Sequence, residues 1–354
     1  MRLLHASLWI AALIVPAAAV AQPTWTDNQP LRPAVKAAKT RLLVKVTTSW
    51  CGATNPSCRE LANVLLQPEV ARRLRAFRLL AYDGEQGEGQ RVARRYSVGF
   101  FPTLLVIDRK GREVDRLTGH LPRQQLAQWL DEATSGKGTL AKLEARLARR
   151  TKDTALRLRV GALWALRGQR ARAVKHLDRL IRAAGTSNMP SRSRKPAEVL
   201  AARAMLIKGR FLELRALRDH KAAEATLRGL RLRFPTAPEA SHAVYPLARA
   251  MHGIKRTKAA LRLLSWWART PEQHQRVAWF CHRNRVDAKR GLRHARAAVK
   301  ARPDQALMWA TLAAVQDLAG DRAAAGRSWG KALRLDPHRR WYQQQHALHY
   351  PKKK

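Results

Sequence analysis

The pattern of apolar and polar positions changes near residue 135. Before that point, short apolar runs alternate with segments of helical periodicity. Strands are predicted over residues 41–48, 77–82, 104–107 and 113–117, and helices over residues 58–66, 90–96 and 122–133. A turn sequence separates the last two strands and favours a hairpin. This order of elements predicts a small α/β sandwich.

From about residue 140 onward, alanine, leucine and arginine recur at helical spacing, interrupted by glycine or proline. Pro303 and Pro337 lie 34 residues apart, and the small residues Gly161 and Ala313 stand where paired helices would approach closely. These features resemble tetratricopeptide (TPR) repeats. The resemblance implies an all-α TPR-like solenoid over residues 153–345 that docks a protein partner.

The first 21 residues predict a removable export signal. Arg2 precedes an apolar run over residues 8–20, and small residues precede a cleavage point before Gln22. The run is shorter than the roughly 20 residues of a membrane-spanning helix, and Pro16 interrupts it. We therefore expect an exported protein, periplasmic or secreted, with no membrane span after signal removal.

Three cysteines are present, and two of them lie close together in the sequence. Six residues separate Cys51 from Cys58, and an oxidising compartment makes the two a candidate disulfide. A disulfide requires Cα atoms about 4.4–6.8 Å apart, so the residues between them must turn back. Cys281 lies on a predicted helix, and we expect it to be a small buried apolar residue.

A second family resemblance surrounds the first cysteine. A predicted strand runs into Ser-Trp-Cys-Gly at residues 49–52, and Phe-Phe-Pro-Thr follows at residues 100–103. With Pro-Glu-Val at residues 68–70, these motifs make residues 25–135 resemble an exported thioredoxin-like domain. The resemblance implies a cis peptide bond before Pro102.

For the site, the thioredoxin resemblance implies thiol–disulfide exchange. Cys51 would attack the substrate sulfur, and Cys58 would resolve the mixed disulfide. A place for Cys58 in the first turn of a helix would stabilise its thiolate. The resemblance also puts Trp50, Phe101 and Pro102 at the substrate-binding surface. No cofactor is expected.

Two departures from the family keep another interpretation open. Thioredoxin-like domains usually have two residues between the cysteines, and Lys45 stands where many have a buried aspartate. A lysine can replace that base only if its pKa is depressed. The alternative is a non-enzymatic interaction scaffold in which Cys51–Cys58 is a structural disulfide. A metal site would need further ligands, and no histidine or third cysteine lies close in sequence.

The charge of the chain bears on its partners. The 69 Lys/Arg and 25 Asp/Glu residues give a net charge of +44, and residues 141–354 contribute 49 − 14 = +35 of it. Such a field favours anionic partners. Because an exported protein rarely meets nucleic acid, we expect anionic envelope polymers or acidic proteins, beside protein thiols and disulfides. The alternative is a composition bias towards arginine on solvated helix faces.

Together these patterns predict the organisation of the chain. The fold class is an α/β thioredoxin-like sandwich followed by an all-α TPR-like solenoid. A polar, basic stretch at residues 185–196 predicts an insertion or a mobile loop. The predicted segments are a signal peptide (1–21), a thioredoxin-like domain (22–136), a linker (137–152), TPR-like helical repeats (153–345) and a basic tail (346–354).

Overall fold

A mixed β-sheet with helices on both faces forms the first part of the chain. The computed structural model describes residues 22–49, 51, 56–185 and 196–349. Within these residues the strands are β1 (Thr26–Asp27), β2 (Leu42–Thr47), β3 (Arg78–Asp83), β4 (Thr103–Ile107) and β5 (Glu113–Thr118). Their order in the sheet is β1-β3-β2-β4-β5. The pairs β1–β3 and β3–β2 are parallel, and the pairs β2–β4 and β4–β5 are antiparallel.

Both faces of this sheet are buried because side chains alternate along each strand. Leu42 and Val44 face a core that includes residues of α1 and α4, whereas Leu43 faces a core built from α2, α3 and α5. The strands and helices predicted from the pattern are confirmed, and β1, α1 and α3 are additional. The helices are α1 (Leu31–Lys36), α2 (Pro56–Leu65), α3 (Pro68–Leu74), α4 (Gly87–Arg95) and α5 (Arg123–Ser135).

The rest of the described chain is helical. The first helices are α6 (Leu140–Arg149), α7 (Thr154–Leu166), α8 (Arg170–Ala183) and α9 (Pro196–Ile207), and a π-helix (Lys208–Ala216) continues α9. Next come α10 (His220–Arg233), α11 (Pro238–His242), α12 (Val244–Gly253), α13 (Thr257–Trp267) and α14 (Pro271–Asn284). The last are α15 (Ala288–Ala301), α16 (Ala306–Leu318), α17 (Arg322–Leu335) and α18 (Arg340–His349).

Small residues allow neighbouring helices in this region to pack closely. A Cβ atom added to Gly161 in α7 would lie 2.9 Å from a methyl carbon of Leu177 in α8. Ala313 in α16 is completely buried. Cys281 is also buried, as expected, and burial raises the pKa of its thiol to about 12. The all-helical fold of this region is confirmed, and its TPR identity stays a prediction.

Helices occur within the two segments predicted as a linker and a tail. The stretch at residues 137–152, predicted as a linker, contains α6, whose buried leucines Leu140, Leu143 and Leu147 pack on α7. Helix α18 extends to His349, into the predicted tail. The predicted export signal and residues 186–195 of the predicted loop lie outside the described residues. In the described part, no helix combines the length and apolarity needed to cross a membrane.

A buried ion group joins the sheet to the helical region. The Glu113 carboxylate at the start of β5 accepts hydrogen bonds from Arg116 Nε at 2.9 Å and Nη2 at 2.5 Å. Arg167, which follows α7, lies 2.6 Å from the same carboxylate. Arg116 also donates to the carbonyl oxygen of Leu166 at 2.8 Å. All three charged side chains are at most 13% exposed, so water screens these contacts weakly.

Asp115 is a second buried carboxylate near this junction. Its Oδ1 accepts a hydrogen bond from the Arg116 backbone at 2.8 Å, and its Oδ2 has no partner among the described residues. The side chain is almost inaccessible, with 2% exposure. Burial therefore raises the pKa of Asp115 to about 6, although hydrogen bonds and nearby arginines oppose the shift.

Replacing Glu113 by glutamine should destabilise the fold. Arg116 and Arg167 would lose their shared anion while they remain buried, so the free energy of unfolding should fall by about 2–4 kcal/mol. Urea unfolding followed by circular dichroism measures this change. Glu69→Gln is the control, because Glu69 pairs with Arg73 and Arg123 at a partly exposed position and should cost less than about 1 kcal/mol. Equal losses in the two variants would contradict the buried role of Glu113.

Asp115→Asn should stabilise the fold at neutral pH. The raised pKa means that the folded state favours the protonated carboxyl, so the stability that Asp115 gives below pH 4 is lost as the pH rises towards 6. The neutral amide should therefore raise the free energy of unfolding by about 1–3 kcal/mol at pH 7. Urea titrations at several pH values should show this gain shrinking below pH 4. A gain that does not change with pH would contradict the assignment.

Candidate active site

The two neighbouring cysteines form a disulfide at one end of the sheet. Cys51 lies four residues beyond the end of β2, and Cys58 lies in the first turn of α2. Their Cα atoms are 5.8 Å apart, within the range that a disulfide allows. The spacing of six residues is therefore compatible with the bond. Residues 52–55, between the cysteines, lie outside the described residues.

The two cysteines of the disulfide are both buried, but their local surroundings differ. Cys51 is 1% exposed and Cys58 is 8% exposed, so neither cysteine is freely accessible. The backbone N–H of Cys51 donates to the carbonyl oxygen of Thr48 at 3.0 Å, which fixes a turn after β2. Cys58 follows Pro56, the first residue of α2. Unpaired N–H groups and the helix dipole stabilise a thiolate at such a position when the pair is reduced.

Pro102 lies at the same end of the sheet as Cys51. The Phe101–Pro102 peptide bond is cis, as the family resemblance implied. Pro102 directly precedes β4, and Thr103 pairs with Val46 near the end of β2. The carbonyl oxygen of Pro102 accepts a hydrogen bond from the Gly119 backbone at 2.8 Å, which ties this loop to β5. The start of β4 and the end of β2 are thus adjacent.

Phe101 and Trp50 are the other two residues predicted to bind the substrate. Phe101 is half-buried and packs on the core beside α4, where its ring lies against Gly84. Trp50 lies outside the described residues. Phe100, which the sequence did not single out, packs edge-on against Phe211 of the π-helix, with ring centroids 4.5 Å apart. The loop before Pro102 therefore contacts both the sheet core and the helical region.

Lys45 lies in β2 with its ammonium group over an aromatic ring. Its Nζ is 4.4 Å from the centre of the Trp25 ring, a cation–π contact. Burial lowers the pKa of Lys45, and the negative charge of Asp27 opposes this shift. The direction is the one that a lysine needs before it can accept a proton near neutral pH.

Asp83 and the Glu60–His120 pair are polar groups near the disulfide that the sequence analysis missed. Asp83, at the end of β3, accepts a hydrogen bond from the Ser49 backbone at 3.0 Å and so holds the segment before Cys51. Glu60 in α2 lies 2.6 Å from His120, just after β5. The signal for Asp83 was its place at the end of a strand parallel to β2. No comparable linear signal joins Glu60 to His120.

Within the described part of the chain, no group of three or more His, Cys, Asp and Glu side chains is arranged to hold a metal ion. The chemistry that the arrangement offers is that of sulfur: a cysteine pair that closes a disulfide, next to a helix N-terminus and a cis-proline loop.

Comparisons with known proteins match the N-terminal part of the chain. The family model of the thioredoxin-like domain matches residues 31–134. No curated protein matches the chain. Among solved structures, a thioredoxin from Thermus thermophilus is 28% identical over 33% of this chain and 92% of that chain, with a TM-score of 0.29. Residues 31–134 are thus a thioredoxin-like domain, and a C-terminal region follows that is helical wherever the structure describes it.

Proposed function

We propose that this protein is an exported thiol–disulfide oxidoreductase with Cys51 and Cys58 as its redox pair. The observation that supports this proposal is the place of the disulfide in a thioredoxin-like domain. It joins the segment after β2 to the first turn of α2, at the sheet end that carries the Phe101–Pro102 loop. Thiol–disulfide exchange requires such a pair, with one sulfur to attack and a second close enough to resolve.

The reducing direction of the reaction has two steps. The Cys51 thiolate attacks one sulfur of a substrate disulfide, forms a mixed disulfide and releases one substrate thiolate. The Cys58 thiolate then attacks Sγ of Cys51, closes the Cys51–Cys58 disulfide and releases the second substrate thiolate. Two electrons pass from the cysteine pair to the substrate, and an external dithiol returns the pair to the reduced state. Oxidation of a substrate dithiol is the reverse sequence.

The neighbouring groups have supporting roles in this proposal. The N-terminal turn of α2 stabilises the Cys58 thiolate, which favours its release when the disulfide opens. Trp50, Phe101 and Pro102 hold the substrate chain beside the sulfurs. Lys45, with its lowered pKa, takes part in proton transfer in place of the aspartate of related domains.

The helical region is proposed as the docking part of the enzyme. Its paired helices and close-packed small residues support a TPR-like arrangement, whose surface would hold a protein partner. The N-terminal 21 residues support export to a periplasm or the cell exterior. The expected partners are protein thiols and disulfides, with anionic envelope polymers as further ligands of the basic surface.

Burial of the disulfide favours a second candidate function, a non-enzymatic interaction scaffold. Both cysteines are less than 9% exposed, and a buried disulfide is protected from exchange. As a structural bond, closure of this loop of about eight residues would stabilise the fold by about 2.5 kcal/mol in the chain-entropy model. The two functions differ in whether either sulfur ever forms a bond to another protein.

Single cysteine variants distinguish the two functions. Full-length Cys58→Ala, exported in cells and isolated under acid quench, should accumulate mixed disulfides with partner proteins, because no second thiol resolves them. Cys51→Ala should trap few partners or none. Non-reducing electrophoresis followed by identification of the bound proteins measures both results.

A control variant and the alternative trapping results complete this test. Cys281→Ala should trap nothing, since this thiol is buried and its pKa is raised. Trapping by Cys51→Ala instead of Cys58→Ala would exchange the two roles and keep the enzyme. If neither variant traps a protein and both unfold at a lower temperature than the wild type, the oxidoreductase proposal is wrong and the scaffold is supported.

A further inference from the structure

Five arginines from three helical segments lie close together, and one of them contacts the loop that leads to Pro102. We call them the arginine cluster: Arg210, Arg215, Arg249, Arg276 and Arg283. The first two belong to the π-helix, the third to α12 and the last two to α14. Helices α12 and α14 are in contact, with the Tyr245 and Phe280 ring centroids 6.2 Å apart. The phenol of Tyr245 lies within electrostatic reach of four of the arginines, and Arg210 lies within reach of Arg249 and Arg276.

The positive charge of this cluster is not neutralised within the protein. None of the five guanidinium groups forms a salt bridge with a carboxylate among the described residues. The undescribed residues contain no aspartate or glutamate, so the sequence offers no further side-chain carboxylate. Arg215, Arg276 and Arg283 are solvent-exposed, and Arg210 and Arg249 are half-buried. The cluster is therefore accessible to an anion from outside.

The guanidinium groups of the arginine cluster repel one another. Burial lowers the pKa of the half-buried Arg210 and Arg249, and neighbouring arginines of the cluster lower it further. A guanidinium nevertheless remains protonated in proteins, so the repulsion persists as a local positive field. An anion that enters the cluster relieves this repulsion.

One member of the cluster, Arg215, is in direct contact with the loop that carries the cis-proline. Arg215 Nη1 donates a hydrogen bond to the carbonyl oxygen of Gly99 at 3.3 Å, and its guanidinium lies 4.9 Å from the centre of the Phe100 ring. Phe100 in turn packs on Phe211. Only Phe101 separates Phe100 from Pro102. Through Arg215, the cluster thus adjoins the loop that leads to the sheet end where the disulfide lies.

We propose that the arginine cluster binds an acidic segment of the protein substrate and so directs a neighbouring substrate cysteine to the Cys51–Cys58 pair. Carboxylates are the matching ligand, because the planar guanidinium binds them with two parallel hydrogen bonds. A polypeptide is favoured over a nucleic acid because the cluster is confined to one site and adjoins the substrate loop. This inference rests on the proposed oxidoreductase function.

The first test measures binding without any redox step. The probe is a fluorescein-labelled, cysteine-free decapeptide of alternating glutamate and serine, titrated with full-length protein at about 0.15 M salt. Arg249→Gln/Arg276→Gln/Arg283→Gln should weaken binding at least tenfold in fluorescence anisotropy. The control, Arg262→Gln/Arg296→Gln/Arg327→Gln, removes the same charge from exposed positions outside the cluster and should change binding less than twofold.

Several outcomes of this titration would overturn the inference. Equal weakening in the two triple variants would assign binding to the overall charge, not to the cluster. Tighter binding of a polyphosphate or a single-stranded oligonucleotide of equal charge, lost in the cluster variant, would assign the site to another class of polyanion. If the triple variant does not fold by circular dichroism, Arg276→Gln/Arg283→Gln provides the test, because both side chains are exposed, and it should weaken binding at least threefold.

The second test separates this inference from the proposed function. Two disulfide-containing peptides, one acidic and one basic, are compared as substrates by their kcat/KM ratio with dithiothreitol as reductant. The wild type should prefer the acidic peptide at least tenfold, and the cluster variant should lose that preference while it still reduces the basic peptide. Exchange without any acidic preference would refute the inference alone. Binding of the acidic probe without exchange on either peptide would refute the proposed function and leave the cluster as a binding site for acidic segments.

Discussion

The carboxylate of Glu113 holds two guanidinium groups that belong to different parts of the fold. Arg116 comes from β5 of the sheet, whereas Arg167 follows α7 of the helical region. All three groups are poorly accessible to water, and a charge left alone there would carry a large desolvation penalty. The contact is therefore satisfied only when the helices lie against β5. It restricts how the helical region can move relative to the sheet.

This restriction matters for the candidate site because the Phe101–Pro102 loop lies between the two regions. Arg116 also donates to the carbonyl oxygen of Tyr96, just before the loop, and Phe100 packs on the π-helix. The loop is thus held from β5 and from the helices at once. A surface on the π-helix can then keep a constant distance from the sheet end with the disulfide, which a flexible linker between two independent domains would not provide.

The sequence predicts the elements that follow from local patterns. It does not predict contacts between residues that lie far apart in the chain. Strands β2 to β5 follow from short apolar runs, and the cis bond before Pro102 follows from the family resemblance. Residues 137–152 are predicted as a linker, and helix α6 lies within them. Leu140, Leu143 and Leu147 have helical spacing, but they form a narrow apolar stripe among many charged residues. Glu113 and Arg167 lie 54 positions apart, and no linear pattern joins them. The same holds for the arginine cluster, to which α12 contributes one residue.

The net positive charge is large, and the positions of the acidic residues decide where it is neutralised locally. In the helical region, four aspartates accept hydrogen bonds from backbone N–H groups at helix N-termini: Asp153, Asp219, Asp287 and Asp321. Others form ion pairs, as Glu224 does with Arg228 in the same helix and with Arg256 at the start of α13. These carboxylates lie at helix ends or in ion pairs with other arginines, and they do not neutralise the arginine cluster. An arginine bias on solvated faces would spread its charge, whereas this cluster concentrates it at one contact with the thioredoxin-like domain.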